Sequence, residues 1–124
     1  MKKIIVADDS DIVKNIIEKA LIDEYEVLKA RNGKQVVDYI VKNKDVVGLL
    51  LDLSMPEYDG FYVLNYFKNN NLFNRIPVSI ITGDDTKETI QKSFKYDIVD
   101  VLNKPFGIDN IKNVINKMKN KVEN

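Results

Sequence analysis

The sequence contains no cysteine and no histidine. That excludes disulfides, thiolate or imidazole metal ligands, thiol nucleophiles and the imidazole base of most hydrolase triads. Phosphohistidine chemistry would need a histidine from a second protein, and any metal would be a hard cation held by oxygen. Net charge is missing too: 19 basic residues balance 19 acidic ones, so no general electrostatic grip on nucleic acid is expected. The longest apolar run, residues 46–51, falls far below the roughly 20 residues of a membrane span. The apolar start at residues 4–7 stops at Asp8, short of the roughly 7–15 residues in the core of a secretion signal. The expectation is a cytoplasmic protein with no membrane partner, whose reagents are carboxylates, hydroxyls and lysine.

The 124 residues, 44% hydrophobic, suit one globular domain with one core. Residues 1–124 are therefore expected to form a single domain, with no output domain in this chain. Short apolar runs at 4–7, 27–30, 46–51, 78–81 and 99–102 alternate with amphipathic stretches. In the first of these, Ile12, Val13, Ile16, Ile17, Ala20 and Leu21 mark one helix face. Val36, Val37, Ile40 and Val41 mark a second; Val63, Leu64 and Phe67 a third; Ile90 and Phe94 a weaker fourth. Ile108, Ile111, Ile115, Met118 and Val122 form the last stripe. The basic end, with Lys112, Lys117, Lys119 and Lys121, reads as a solvated helix face rather than a nucleic-acid patch. Near-continuous apolar strands are buried on both faces, which implies a parallel sheet between helix layers. Right-handed crossovers and too few units for an eight-strand barrel leave a doubly wound α/β fold of five βα units.

Ligands of such sheets bind beyond the carboxyl ends of the strands. Those ends carry Asp8 and Asp9, Asp52, Thr82 and Lys104. Each has an ordinary explanation: helix capping at Asp8-Asp9-Ser10, a turn after Asp52, a turn and cap across residues 82–86, and an exposed lysine before Pro105. Their joint arrival at one rim is not ordinary. Two carboxylates 4 Å apart repel by about 4 kcal/mol at an effective dielectric of 20, so three require a positive partner. A hard divalent cation, Mg²⁺ or Mn²⁺, supplies it while keeping open positions for phosphate oxygens. Asp52 is then placed as a nucleophile that forms an aspartyl phosphate, with Thr82 donating to a phosphoryl oxygen and Lys104 beside it.

Ile4-Ile5-Val6-Ala7-Asp8-Asp9-Ser10, Leu50-Leu51-Asp52-Leu53-Ser54-Met55-Pro56 with Asp59-Gly60, Ile80-Ile81-Thr82-Gly83 and Leu102-Asn103-Lys104-Pro105-Phe106 resemble, in order, the motifs of CheY-like receiver domains of two-component response regulators. Tyr25-Glu26-Val27 and Ala30-Arg31-Asn32-Gly33 are similar to that family's second strand and loop. The resemblance implies the strand order 2-1-3-4-5 and phosphorylation of Asp52 by a histidine kinase or histidine phosphotransfer protein. It implies Mg²⁺ bound by Asp9, Asp52 and the backbone carbonyl of Ser54, with Asp8 acting mainly through water, and Thr82 and Lys104 on the phosphoryl group. It also implies a cis Lys104-Pro105 bond, a water flanked by Ser54 and Asp84, and output through the face built from residues 82–122 to an effector or a second copy. Such a domain is a phosphoacceptor rather than an enzyme with turnover.

Two positions depart from the family. Val101 stands where an aromatic switch residue is common, and it is stiff at χ1. Asp97 replaces a usual glycine, where a left-handed helix end would strain it. Other uses of the sheet fit less well. A flavin carrier needs a phosphate loop free of the acids in Asp8-Asp9-Ser10-Asp11, and a haloacid-dehalogenase-type phosphatase needs a second acid where Ser54 stands.

Overall fold

Two periodicities divide this chain: apolar runs extend into strands buried on both sides, and 3.6-residue stripes wind into helices that cover them. The computed structural model describes residues 1–123. Its elements are β1 (Lys3–Ala7), α1 (Asp11–Leu21), β2 (Glu26–Ala30), α2 (Gly33–Lys42), β3 (Val46–Asp52), α3 (Gly60–Asn69), β4 (Val78–Thr82), α4 (Lys87–Ser93), β5 (Val101–Asn103) and α5 (Ile108–Glu123). All strands pair in parallel, in the order β2-β1-β3-β4-β5. This is the doubly wound α/β fold expected from the alternation. No helix among the described residues is long and apolar enough to cross a membrane.

Strand residues alternate between two cores. Ile5, Ala7, Leu49, Leu51, Val78 and Ile80 pack on one side with Val36, Ile40, Val63, Leu64 and Phe67 of α2 and α3. Ile4, Val6, Leu50, Ile81 and Leu102 pack on the other with Ile17, Leu21, Ile111, Val114, Ile115 and Met118 of α1 and α5. Each fully buried aliphatic side chain contributes roughly 1.5–3 kcal/mol. The central strands, not the polar rim above them, therefore hold the fold together.

Several helix faces differ from the sequence pattern. Ile12 and Ile16 are exposed while Ile17, Leu21 and Lys14 are buried, so α1 is rotated toward the 14–17–21 line. The Lys14 ammonium lies 3.3 Å from Asp11, which lets the aliphatic stem enter the core. Val41, Ile108 and Val122 lie exposed at helix ends, and Val114 is buried instead. Phe94 is exposed; Tyr96 takes its place against the core, donating to Asn65 at 2.6 Å. The fifth strand starts at Val101 rather than Val99, although the Val99 amide already donates to Val78 at 2.8 Å.

Asp97 does not adopt the left-handed conformation anticipated for it. Among the described non-glycine residues only Glu57 and Asn71 have positive φ, and α4 ends right-handed at Phe94. The Asp97 carboxylate instead pairs with Lys121 at 3.1 Å, as Asp100 does with Lys117 at 3.0 Å. Half of the basic end is thereby spent on acids of its own chain.

Candidate functional site

The ends of β1 and β3 lie side by side, Ala7 opposite Leu51, and this brings Asp8, Asp9 and Asp52 together. Each offers a carboxylate oxygen, and all three oxygens lie within 4.8 Å of one another. Local bonding aims them. Ser10 is the cap of α1, its hydroxyl accepting from Val13 N–H at 3.3 Å, so neither acid is consumed as the helix cap. Asp8 Oδ1 accepts from Ser10 N–H at 2.9 Å and Asp52 Oδ1 from Ser54 N–H at 3.1 Å, which fixes both carboxylates as Asx turns.

The loop after β3 is held tightly. Glu57 has φ 67°, and Tyr58 N–H donates to Pro56 at 2.7 Å, a strained tight turn. Asp59 caps α3 by accepting from Tyr62 N–H. Gly60 then passes so near β3 that a Cβ there would stand 2.8 Å from both the Asp52 carbonyl oxygen and Leu53 Cα. Only glycine fits between the cap and the acid-bearing strand end.

Lys104 completes the rim. Its amide donates to Thr82 at 2.7 Å, and its stem lies over Gly83, whose hypothetical Cβ would be 3.1 Å from Lys104 Cδ. The ammonium reaches 3.0 Å from Asp8 Oδ2. That contact is an ion pair off the hydrogen-bond axis, since the buried Oδ2 has no well-directed donor. The Lys104-Pro105 peptide is cis.

Electrostatics follow from this crowding. Burial pushes the Asp52 carboxyl up; Ser54 N–H pulls it down, Asp8 pushes it up, Lys104 pulls it down and Asp85 pushes it up, for a net value of about 7. Burial pulls the Lys104 ammonium down, but its contact with Asp8 and the charges of Asp8, Asp52 and Asp9 outweigh this and leave it raised. One lysine thus serves three carboxylates. A buried oxygen without a directed donor and three converging hard oxygen donors fit a divalent cation of the Mg²⁺ type.

The remaining rim residues meet through a group the sequence did not single out. Ser54 Oγ donates to Asp85 Oδ1 and Thr82 Oγ1 donates to Asp85 Oδ2, both at 2.7 Å. Asp85, not Asp84, joins Ser54 and Thr82. Asp84 is exposed, in a groove with Val13, Ile16, Lys104, Pro105 and Phe106. The adjacent acids signalled a role for the turn, and Asp85, the one that turns inward, directly precedes Thr86, whose hydroxyl caps α4 by accepting from Thr89 N–H at 3.2 Å.

Strand order and the place of the acidic rim are together those of a CheY-like receiver. A family profile for the response regulator receiver domain matches residues 4–116, and the chain belongs to that family of two-component signalling modules. It is 33% identical over 109 residues to a probable cyclic di-GMP phosphodiesterase of Vibrio cholerae, covering 88% of this chain but only 24% of that protein. It is 28% identical over 106 residues to a chemotaxis protein CheY homologue of Campylobacter jejuni, covering 84% of this chain and 82% of the homologue. Among solved structures, the receiver domain of AraT, a response regulator from Geobacillus stearothermophilus, superposes with a TM-score of 0.84 at 27% identity, over 98% of this chain and 95% of that one.

Proposed function

We propose that the chain accepts one phosphoryl group on Asp52 from a phosphorylated histidine of a kinase or phosphotransfer protein, and that the modified form acts on a downstream effector or a second copy through the face built from residues 82–122. The observation that carries this reading is the convergence of the Asp8, Asp9 and Asp52 oxygens within 4.8 Å, with a lysine ammonium 3.0 Å from Asp8. A carboxylate oxygen of Asp52 attacks phosphorus, the N–P bond of the donor breaks, and the departing imidazole takes a proton. Asp9, Asp52 and the Ser54 carbonyl would hold a divalent cation, Mg²⁺ or Mn²⁺, with Asp8 behind a water; it would neutralise charge on the transferring group. Lys104 and Thr82 neutralise and orient the phosphoryl oxygens, a cation and a hydroxyl donor at the ends of β5 and β4. The domain promotes its own phosphorylation and dephosphorylation without steady turnover of a free substrate.

Incubation with Mg²⁺ and acetyl phosphate tests this. Intact-mass measurement should show one added phosphoryl group, acid-stable and base-labile, absent from Asp52→Asn. Equal labelling of Asp52→Asn would overturn the assignment.

A further inference from the structure

A single carboxylate closes the rim between β3 and β4. Asp85 accepts the Ser54 hydroxyl on one oxygen and the Thr82 hydroxyl on the other, each at 2.7 Å. It pairs with no cation among the described residues, so these two donors are what holds it. A hydroxyl has one proton to give. Thr82 can donate to Asp85 or to a phosphoryl oxygen, not to both. A phosphoryl group also brings nearly two negative charges to a place that a carboxylate already borders.

Helix α4 begins just beyond Asp85. Thr86, the next residue, is the helix cap, and of α4 only Ser93 is fully buried. A short helix with so little burial is poorly anchored from below, so the Asp85 bridge is a large part of what fixes its first turn. At Val101, on the neighbouring strand, there is no ring to carry a signal.

We propose that Asp85 is the resting-state latch of this receiver: it engages the hydroxyls of Thr82 and Ser54 in the unmodified chain, and its displacement by the phosphoryl group moves the start of α4. The inference rests on the reading of Asp52 as phosphoacceptor. Phosphorylation competes for the Thr82 bond, displacement of Asp85 breaks the Ser54 bond as well, and a ligand shifts an equilibrium only by its differential affinity for the two states. Removing the latch therefore tightens phosphoryl-like ligands while moving α4 without any ligand.

The test uses beryllofluoride with Mg²⁺, followed by amide NMR on the parent, Asp85→Asn, Asp85→Ala, Ser54→Ala and the double variant. Asp85→Ala should bind about tenfold tighter, the equivalent of about 1.4 kcal/mol, with Asp85→Asn in between because its amide oxygen still accepts one hydroxyl. In the absence of ligand, amides 86–93 of Asp85→Ala should lie displaced along the line joining the parent's free and bound positions. Ser54→Ala, which leaves the β4–α4 turn untouched, should tighten binding in the parent but not in the Asp85→Ala background. A parent that binds beryllofluoride while Asp85→Ala and Ser54→Ala bind with the parent's affinity would overturn the latch alone. A parent that takes up no beryllofluoride would overturn the phosphoacceptor reading and the latch with it.

Discussion

Burial of Asp52, with the Asp8 and Asp85 carboxylates nearby, should make the metal-free protein less stable at the pH where Asp52 is ionised. Asp52 has a folded-state value of about 7 against an ordinary 3.8, so between these values the folded chain binds a proton that the unfolded chain has released. By linkage, the Asp52 contribution is harmless below the unfolded value, grows more unfavourable as pH rises, and levels off above about 7. The full shift converts to about 4 kcal/mol. Asp52 itself is 5% accessible, but exposed Asp9 and the groove beside Ser54, Met55 and Pro56 leave the rim open to water. Solvent screening reduces the realised cost to about 1–2 kcal/mol. Asp52→Asn removes the charge at nearly constant shape. In chelator, its urea midpoint should fall less than the parent's between pH 5 and pH 7.5, and at pH 7.5 it should exceed the parent by that amount, about 4–8 °C in Tm. The absence of histidine keeps this window free of the side chain that usually titrates there. Millimolar Mg²⁺ should then raise the parent and leave Asp52→Asn nearly unmoved. Parallel pH profiles for parent and variant, or a variant less stable than the parent at pH 7.5 without metal, would refute the reasoning.

Two further substitutions probe the frame around the site. Gly60→Ala places a Cβ 2.8 Å from the backbone of Asp52 and Leu53 and should cost about 1–3 kcal/mol, read as a lower urea midpoint; an unchanged midpoint would show that the β3–α3 loop yields. Val101→Tyr should leave phosphorylation of Asp52 intact while altering self-association or partner binding; NMR changes through α5 on adding beryllofluoride that are equal in parent and variant would show that the ring adds nothing to the switch.

The central part of the fold was legible in the sequence because one physical cause dominates there. Residues 46–51 and 78–81 have no polar member large enough to confuse the period, and both became strands buried on both faces. The place of Asp8, Asp9, Asp52, Thr82 and Lys104 followed from those strands, since each is at or just past a strand end. Helix rotation was less legible. In α1 the apolar pairs 12–13 and 16–17 allow two facings, and packing chose the one that buries the stem of Lys14 and exposes Ile12 and Ile16. Asp85 was hidden for a different reason: its role depends on the course of a turn set by Gly83 and the cap at Thr86, which no periodicity encodes.

The two sides of the site are held unequally. β1 and β3 are central, paired on both edges, and Asp8 and Asp52 at their ends are fixed by Asx turns onto backbone amides. The other side is built from β5, three residues long, and from α4, seven residues with one fully buried member, joined to the rim by two hydroxyl–carboxylate bonds. A phosphoryl group on Asp52 would meet a firmly held wall on one side and a lightly held one on the other. If Asp52 is the phosphoacceptor, the same charge should move the α4 side, where burial is slight and Asp85 competes with the phosphoryl group for the Thr82 hydroxyl. The turn that carries Asp85, which no periodicity encodes, is thus also the part of the rim that packing holds lightly, and the proposed response belongs there.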